Sequence, residues 1–189
     1  PSNVVIVGGG YIAVEFAGIL NGLGCKTRQI YRGAMFLRGF DLDTADFLAT
    51  QMKNKGINVQ FNSQVASIKK SDKCYQVLLD SGEQIDTDLV MYATGRTPMT
   101  AGLGLEACGV IVDQNNAIVV DENYRTNCSS IYAIGDVTNK INLTPVALAE
   151  GMALVAHLYQ ENKSPVGYDY IPCAVFSNPN LASVGYDEK

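Results

Sequence analysis

The most constraining feature of the sequence is a short apolar run that ends in three consecutive glycines. Positions 4–7 (VVIV) are β-branched throughout, a composition typical of a strand buried on both faces. Gly8 to Ala13 then follow the spacing G-x-G-x-x-A, and apolar residues at helical spacing continue to Gly24. This order of strand, glycine turn and helix predicts a dinucleotide-binding turn, in which the helix N-terminus faces a pyrophosphate.

The segments that follow predict the rest of an α/β nucleotide-binding fold. A second strand completes a β-α-β unit, and Asp41 starts a second helix that Gly56 ends before a third strand. Turn-forming residues at 71–73 and 80–82 indicate an antiparallel meander inserted before the last parallel strand. We therefore predict a Rossmann-like, doubly wound domain with a parallel sheet and an antiparallel meander. The predicted strands are 4–7, 27–31, 57–61, 65–69, 75–79 and 84–92, with 89–93 as the last parallel strand.

The length and spacing of the predicted helices and strands change after Pro98. Short strands are predicted at 117–120 and 131–134, and the largely apolar stretch 145–159 predicts a helix of the kind buried between layers. The runs 171–176 and 181–184 predict a hairpin. We expect three parts, at 1–98, 99–168 and 169–189, and the abrupt ends of the sequence lead us to expect a piece of a longer protein.

The residues after the second strand bear on which dinucleotide the turn would take. An NAD site places an acid there to accept a hydrogen bond from the ribose 2'-hydroxyl. Here Arg32 follows the strand, and Arg38 lies before the next helix. Two solvated surface arginines are the alternative, but a guanidinium matches the dianionic 2'-phosphate of NADP in charge and geometry. The position of the two arginines after this strand favours NADP(H).

Composition and charge exclude several other classes of function. The 189 residues carry 14 Lys+Arg against 19 Asp+Glu, a net charge of -5, without a long basic block. This balance argues against nucleic acid and anionic membranes as partners, and no membrane span or signal peptide is visible in the sequence. Five cysteines without a close pair, together with the single His157, predict no metal site and a reducing, cytoplasmic compartment.

Several segments resemble the glutathione reductase family, within the class I pyridine nucleotide-disulfide oxidoreductases. They occur in that family's order and cover almost the whole chain. The related trypanothione reductases share most of them, although the uninterrupted helix end at 20–25 is more similar to the glutathione enzymes. The segments are 8–18 (GGGYIAVEFAG), 31–32 (YR) with 37–41 (LRGFD), 93–96 (ATGR), 131–137 (IYAIGDV), 143–147 (LTPVA) and 174–177 (AVFS).

The resemblance implies an NADPH site in the first part of the chain. The glycine turn would cradle the pyrophosphate, the two arginines would hold the 2'-phosphate, and the glycine after the last parallel strand would line the adenosine side. The residues implied for these contacts are Gly8, Gly9, Gly10, Arg32, Arg38, Gly95 and Arg96.

The resemblance also implies contacts with the nicotinamide. Tyr11 would be a gate that moves aside when the nicotinamide approaches the flavin. Ile12 and Glu15 would contact the nicotinamide, and Glu15 would also pair with a lysine from a segment outside this chain. Asn142 and Ala174 would lie at the carboxamide; their side chains depart somewhat from the family, but backbone groups make those contacts.

For the flavin, FAD, the resemblance implies two further residues. Asp136 would accept a hydrogen bond from the ribityl chain, and the backbone of Thr144 would meet the flavin ring at a helix N-terminus. The three parts then correspond to an NADPH-binding domain (1–98), a central FAD-contacting segment (99–168) and the start of a dimerisation domain (169–189).

The implied activity is reduction of glutathione disulfide by a homodimer, with electrons passing from NADPH through FAD and a redox disulfide. The family's redox cysteine pair and its C-terminal histidine do not occur in this sequence, so we expect no catalytic residue here and no disulfide reduction by this chain alone. A trypanothione reductase-like enzyme, another disulfide reductase and a non-catalytic NADP(H)-binding module stay open as alternatives. Residues after about Pro98 are expected to be partly exposed, rearranged or covered by another copy of the chain.

Overall fold

The computed structural model describes residues 1–160 and 165–187, so the predicted parts 99–168 and 169–189 extend over residues outside these ranges. The chain divides into two compact units, the first Pro1–Gly95 with Pro172–Lys189 and the second Arg96–Ile171. The helices and strands are β1 (Asn3–Val7), α1 (Tyr11–Gly22), β2 (Lys26–Ile30), α2 (Leu42–Asn54), β3 (Asn58–Gln60), β4 (Val65–Lys70), β5 (Tyr75–Leu79), β6 (Gln84–Thr87), β7 (Leu89–Tyr92), α3 (Leu105–Cys108), a 3-10 helix (Gly135–Thr138), α4 (Thr144–Tyr159), β8 (Cys173–Val175) and β9 (Leu181–Ser183).

The first unit is built on a parallel sheet with the strand order β3-β2-β1-β7. Alternate residues of β1 face opposite sides of this sheet. Val4 and Ile6 pack against α1 and α2 in the main core, whereas Val5 packs on the other face. The parallel sheet and the helix that follows the glycine turn confirm the fold predicted from the sequence.

The face that carries Val5 is covered by the antiparallel sheet β4-β5-β6. Val5 and Ile30 from the parallel sheet are buried there with Val77 and Leu79 of the meander. The unit therefore has three layers, with helices on one side of the parallel sheet and the meander on the other. This burial of both sheet faces explains why the central strand β1 is so apolar.

Local signals start and end the two helices of this unit. Gly24 and Gly56 adopt positive φ angles of 90° and 91° directly after them, a conformation that favours glycine. At the start of α2, the Asp41 carboxylate accepts a hydrogen bond of 2.9 Å from the Thr44 N–H. Both helix ends and this cap agree with the sequence prediction.

The hairpin β8-β9 belongs to the same compact unit as the parallel sheet. Its residues Val175 and Leu181 are buried in the main core with residues of α1 and α2. The assignment of 169–189 to a dimerisation domain stays a prediction, because this packing describes one copy of the chain.

The second unit is held mostly by turns. The strands predicted at 117–120 and 131–134 form only isolated bridges, Val112 to Ile118 and Arg125 to Tyr132. The physical reason is that Asp113 and Asp121 compete for the backbone. Each carboxylate accepts two backbone N–H hydrogen bonds of 2.8 to 2.9 Å, which bend the chain into tight turns and leave no extended ladder. These backbone hydrogen bonds lower the pKa of both carboxyl groups.

Helix α4 also differs from its sequence prediction as a buried helix. Only Val146 and Glu150 are buried along it. Leu148 is 66% exposed and Met152 is 75% exposed. An apolar helix pattern indicates a face suited to burial against other elements. Within this unit the apolar face of α4 is largely exposed.

Candidate functional site

Gly8 is the first residue of the glycine turn and is enclosed by neighbouring strands. Its N–H donates a 3.0 Å hydrogen bond to the Ile30 carbonyl of β2, and its own carbonyl accepts one of 3.0 Å from Gln29 Nε2. Its φ is 148°, and a Cβ at this position would lie 2.3 Å from the Ala93 carbonyl oxygen. Only glycine fits there without a shift of the backbone.

Gly9 connects the turn to the loop between β2 and α2. A Cβ on Gly9 would lie 2.5 Å from the ring of Tyr31, so the aromatic ring packs directly against the glycine backbone. The Gly9 carbonyl accepts a 2.7 Å hydrogen bond from the N–H of Leu37, which is buried in this loop. The loop that carries Arg32 and Arg38 is therefore attached to the turn by both a packing contact and a backbone hydrogen bond.

Gly10 is the N-cap residue of α1, and its surroundings are open. Among the described residues, no atom lies within 4 Å of the position that a Cβ would take. No side-chain hydrogen bond caps the helix here, and α1 has no acidic residue in its first turn. The unpaired N–H groups and the dipole of a helix N-terminus attract anions. The open space at Gly10 therefore fits a phosphate group.

Arg32 and Arg38 are both exposed. Within the described part of the chain, neither forms an ion pair. Arg28 on β2 differs, because it pairs with Glu83, and the hydrogen bond from its guanidinium lowers the pKa of the Glu83 carboxyl. The guanidinium groups of Arg32 and Arg38 are thus available to an external anion. Both residues lie on the loop that contacts the glycine turn.

The remaining candidates of the first unit lie on α1, the adjoining hairpin and the end of the sheet. Glu15 accepts a 2.9 Å hydrogen bond from the Phe176 N–H, so its carboxylate joins α1 to the residue after β8. Tyr11 and Ile12 are half-buried at the start of α1, and Ala174 is exposed on β8. Gly95, with a φ of 136°, follows β7 at the same sheet edge as the turn.

The second unit contains the remaining candidates, Arg96, Asp136, Asn142 and Thr144. Asp136 is exposed on the 3-10 helix, and Thr144 is the first residue of α4. Asn142 Nδ2 donates to Asn139 Oδ1 at 3.1 Å, while its own Oδ1 is buried without a hydrogen-bond partner among the described residues. A buried amide oxygen without a donor is the kind of group that a bound ligand can satisfy.

A buried carboxylate that the sequence interpretation missed holds the turn before Asp136. Glu150 is 1% exposed on α4. One of its oxygens accepts a 2.6 Å hydrogen bond from the Gly135 N–H, and the other accepts a 2.6 Å hydrogen bond from the Tyr168 hydroxyl. A single acidic residue in an otherwise apolar helix was the only sequence signal for this role.

Tyr168 itself lies in a small polar and aromatic cluster. Burial, and then the hydrogen bond to Glu150, raise the pKa of its hydroxyl well above the usual range. The Lys140 ammonium lies 5.1 Å from the centre of the Tyr168 ring and 5.3 Å from that of Tyr124, within cation-π range. These contacts join Lys140, which follows the 3-10 helix, to the two tyrosine rings.

Gln29 and Tyr31 are further residues that sequence reasoning did not assign to the site. Both lie on the helix side of the sheet, where they contact the glycine turn. A glutamine within the predicted second strand was the available signal, because a polar side chain that becomes buried in a sheet requires a partner.

Among residues 1–160 and 165–187, no group of histidine, cysteine and acidic side chains could hold a metal ion. None of the five cysteines, all of which lie within these ranges, forms a disulfide there. No helix in these ranges has the length and apolar character required to cross a bilayer.

The chain is similar to known proteins in both sequence and fold. Residues 1–151 match the family model described as pyridine nucleotide-disulphide oxidoreductase. The chain is 46% identical to glutathione reductase of Burkholderia cepacia and 40% identical to trypanothione reductase of Trypanosoma congolense, covering 100% of this chain but 42% and 39% of those proteins. The HOCl-induced flavoprotein disulfide reductase of Escherichia coli superposes with a TM-score of 0.94 at 33% identity, over 100% of this chain and 43% of that one.

Proposed function

Because the chain belongs to the pyridine nucleotide-disulphide oxidoreductase family, we propose that its first unit binds NADPH for a flavoprotein disulfide reductase. The observation that carries this proposal is the open helix N-terminus at Gly10, next to a loop with two exposed arginines that form no ion pair with the described residues. The helix N-terminus and the arginine pair are two anion-binding positions, which match the pyrophosphate and the 2'-phosphate of one dinucleotide.

Each residue of the site has a distinct task in this proposal. The turn N–H groups and the dipole of α1 bind the pyrophosphate, and Arg32 and Arg38 bind the 2'-phosphate. Tyr11 and Ile12 shape the nicotinamide side, and Glu15 fixes the hairpin against α1 through its bond to Phe176. Gly95, Arg96, Asn142 and Ala174 complete the proposed nucleotide contacts.

FAD is the second proposed cofactor. Its binding falls to Asp136, which is exposed on the 3-10 helix, and to Thr144, the first residue of α4. When bound, the two cofactors supply the redox chemistry, and the residues of the chain supply binding and orientation.

For the whole protein we propose reduction of glutathione disulfide by a cytoplasmic homodimer. The chain spans about two fifths of the length of the curated relatives it matches, so this activity involves segments beyond the present sequence. Trypanothione disulfide is the second candidate substrate, favoured by the 40% identity to a trypanothione reductase. Turnover of both disulfides by the complete protein, followed through NADPH oxidation, decides between them.

The nucleotide proposal is tested with the chain itself. We expect NADPH to bind more tightly than NADH, and Arg32→Leu to weaken NADPH binding about 10- to 100-fold, as loss of a charge-assisted hydrogen bond does. NADH binding should stay unchanged in this variant, because NADH lacks the 2'-phosphate. Arg125→Leu removes the same charge from the second unit and is the control. Equal affinities of the wild-type chain for both nucleotides would contradict the arginine assignment.

A second variant tests the glycine turn. Gly10→Ala places a methyl group in the open space at the helix N-terminus, so both nucleotides should lose affinity, while the free energy of unfolding changes little because Gly10 has an ordinary φ of -85°. Gly18→Ala, inside α1 and equally uncrowded, should leave binding intact and stabilise the helix by about 0.5–1 kcal/mol. Isothermal titration and denaturant unfolding measure the two effects separately.

A further inference from the structure

The side chain of Gln29 donates a hydrogen bond to the glycine turn from the buried side of the turn. Gln29 is fully buried on β2, where it pairs in register with Ile6 of β1. The chain leaves the sheet at Gly8, whose N–H still bonds to the main chain of β2 at Ile30. The next polar group, the Gly8 carbonyl, has Gln29 Nε2 as its donor at 3.0 Å.

Burial of the Gln29 side-chain amide costs folding free energy. Its Oε1 is buried and has no hydrogen-bond partner in the described part of the chain. A buried acceptor without a donor destabilises a fold, and an apolar side chain of similar size would avoid that cost. Leucine would therefore serve packing alone better than glutamine does, which indicates that the donor Nε2 has a task of its own.

The task follows from the charge of the ligand. A helix N-terminus attracts an anion because N–H groups point towards it, whereas a carbonyl oxygen turned the same way would repel it. The peptide between Gly8 and Gly9 can rotate easily, since glycine permits most backbone angles. The bond from Gln29 holds the Gly8 oxygen inside the fold.

We propose that Gln29 is a positioning residue for dinucleotide binding, which keeps the Gly8 carbonyl turned away from the pyrophosphate and thereby fixes the turn in its anion-binding orientation. The inference rests on the proposed function. It extends the site from the turn itself to a buried side chain that does not touch the ligand.

The primary test compares Gln29→Leu with Thr27→Val. Thr27 lies on the same face of β2 and is also buried, and its hydroxyl bonds to the Cys25 carbonyl at 3.2 Å, away from the turn. We expect Gln29→Leu to weaken the binding of NADPH and NADH alike by roughly 3- to 10-fold, the loss of one hydrogen bond. Thr27→Val should leave both dissociation constants unchanged. Unchanged constants in Gln29→Leu would overturn the inference.

A second variant keeps the inference falsifiable if leucine disrupts the fold. Gln29→Glu has the same shape, but the ionised carboxylate has no proton to donate to the Gly8 oxygen, whereas the protonated acid has one. The ratio of its dissociation constant for NADP⁺ to that of the wild type should therefore fall as the pH is lowered. A ratio independent of pH would count against the proposal.

Amide NMR of the ligand-free chain separates this inference from the proposed function. In Gln29→Leu the N–H signals of Gly9 and Gly10 should shift and exchange faster with solvent than in Thr27→Val. Identical turn signals in the two variants would refute the role of Gln29, whether or not a nucleotide binds. A wild-type chain that binds neither nucleotide would overturn the proposed function, and the amide spectra would then decide the inference.

Discussion

The two units of the chain differ in how their backbones are held. In the first unit, parallel strands bond to one another and both faces of the sheet are buried, as Val5 and Ile6 show. In the second unit, side chains of Asp113, Asp121 and Glu150 accept the backbone N–H groups instead. The comparison teaches that sheet hydrogen bonds hold the backbone around the glycine turn, with Gln29 as a single addition, whereas the segment proposed to meet the flavin depends mainly on single polar side chains.

The cores of the two units differ in the same way. The main core of the first unit joins β1, β3, α1, α2 and the hairpin. The separate core of the second unit has three buried residues, Val110, Ile118 and Ala133. Several apolar side chains of α4, among them Leu148, Met152 and Val155, are exposed, and part of the expectation for residues after Pro98 is thus observed. Whether another copy of the chain covers them stays a prediction.

The largest expected difference is between two leucines on helices of the two units. Leu48 of α2 is 1% exposed and Leu148 of α4 is 66% exposed. Leu48→Ala should lower the free energy of unfolding by about 3 kcal/mol, because it removes buried methyl groups and leaves a cavity. Leu148→Ala should change it by less than about 0.5 kcal/mol. Denaturant unfolding measures both, and a similar loss in the two variants would show that α4 is buried in solution.

The next effect concerns the carboxylate of the second unit. Glu150→Ala leaves the Gly135 N–H and the Tyr168 hydroxyl without their acceptor, and should cost about 2–3 kcal/mol. Hydrogen exchange followed by mass spectrometry should localise the loss to peptides containing the 3-10 helix. Glu122→Ala, an exposed acidic residue of the same unit, is the control, and an equal effect in both would exclude a special role for Glu150.

Tyr168→Phe should have a smaller effect that depends on pH. Loss of the hydrogen bond to Glu150 should cost about 1–2 kcal/mol at neutral pH. Because the pKa of Tyr168 is raised in the folded unit, its contribution is present below the unfolded tyrosine pKa of about 10 and declines as the pH rises above it. The stability difference between wild type and variant should therefore shrink in alkali. A constant difference up to pH 11 would argue against the pair.

The smallest effect is expected at the cap of α2. Asp41→Ala removes the acceptor of the Thr44 N–H and should cost about 1 kcal/mol, because the buried stripe of α2 still holds the helix in place. Asp41→Asn retains an acceptor and is the matched control. Thermal unfolding distinguishes them, and a loss as large as that of Glu150→Ala would remove the contrast between the units.

Local sequence signals predicted the first unit well. The strand before the glycines, the Asp41 cap and the glycines that end α1 and α2 act within a few residues of one another, so pattern and structure agree. The candidate residues of the second unit came from the resemblance. It implies which cofactor each residue contacts, but not which other residues of the chain hold it in place.

The contacts that sequence reasoning missed join distant positions. Gln29 meets Gly8 only because β1 and β2 are neighbours in the sheet, and Glu15 meets the Phe176 N–H only because the hairpin returns to α1. Likewise, the predicted strands at 117–120 and 131–134 form isolated bridges, next to turns in which Asp113 and Asp121 accept backbone N–H groups. Hydrophobic periodicity describes local spacing along the chain, so it does not predict hydrogen bonds between distant residues.

The amino-acid sequence by itself determined the α/β class, the glycine turn and the position of two arginines after the second strand, because each depends on short-range sterics and hydrophobic alternation. Only the tertiary structure decided that the space at Gly10 is open, that Gln29 holds the Gly8 carbonyl and that Glu150 bonds to Gly135 and Tyr168. The physical reason is that a buried polar group is satisfied by whichever donor or acceptor the fold brings to it, however far away that partner lies along the chain.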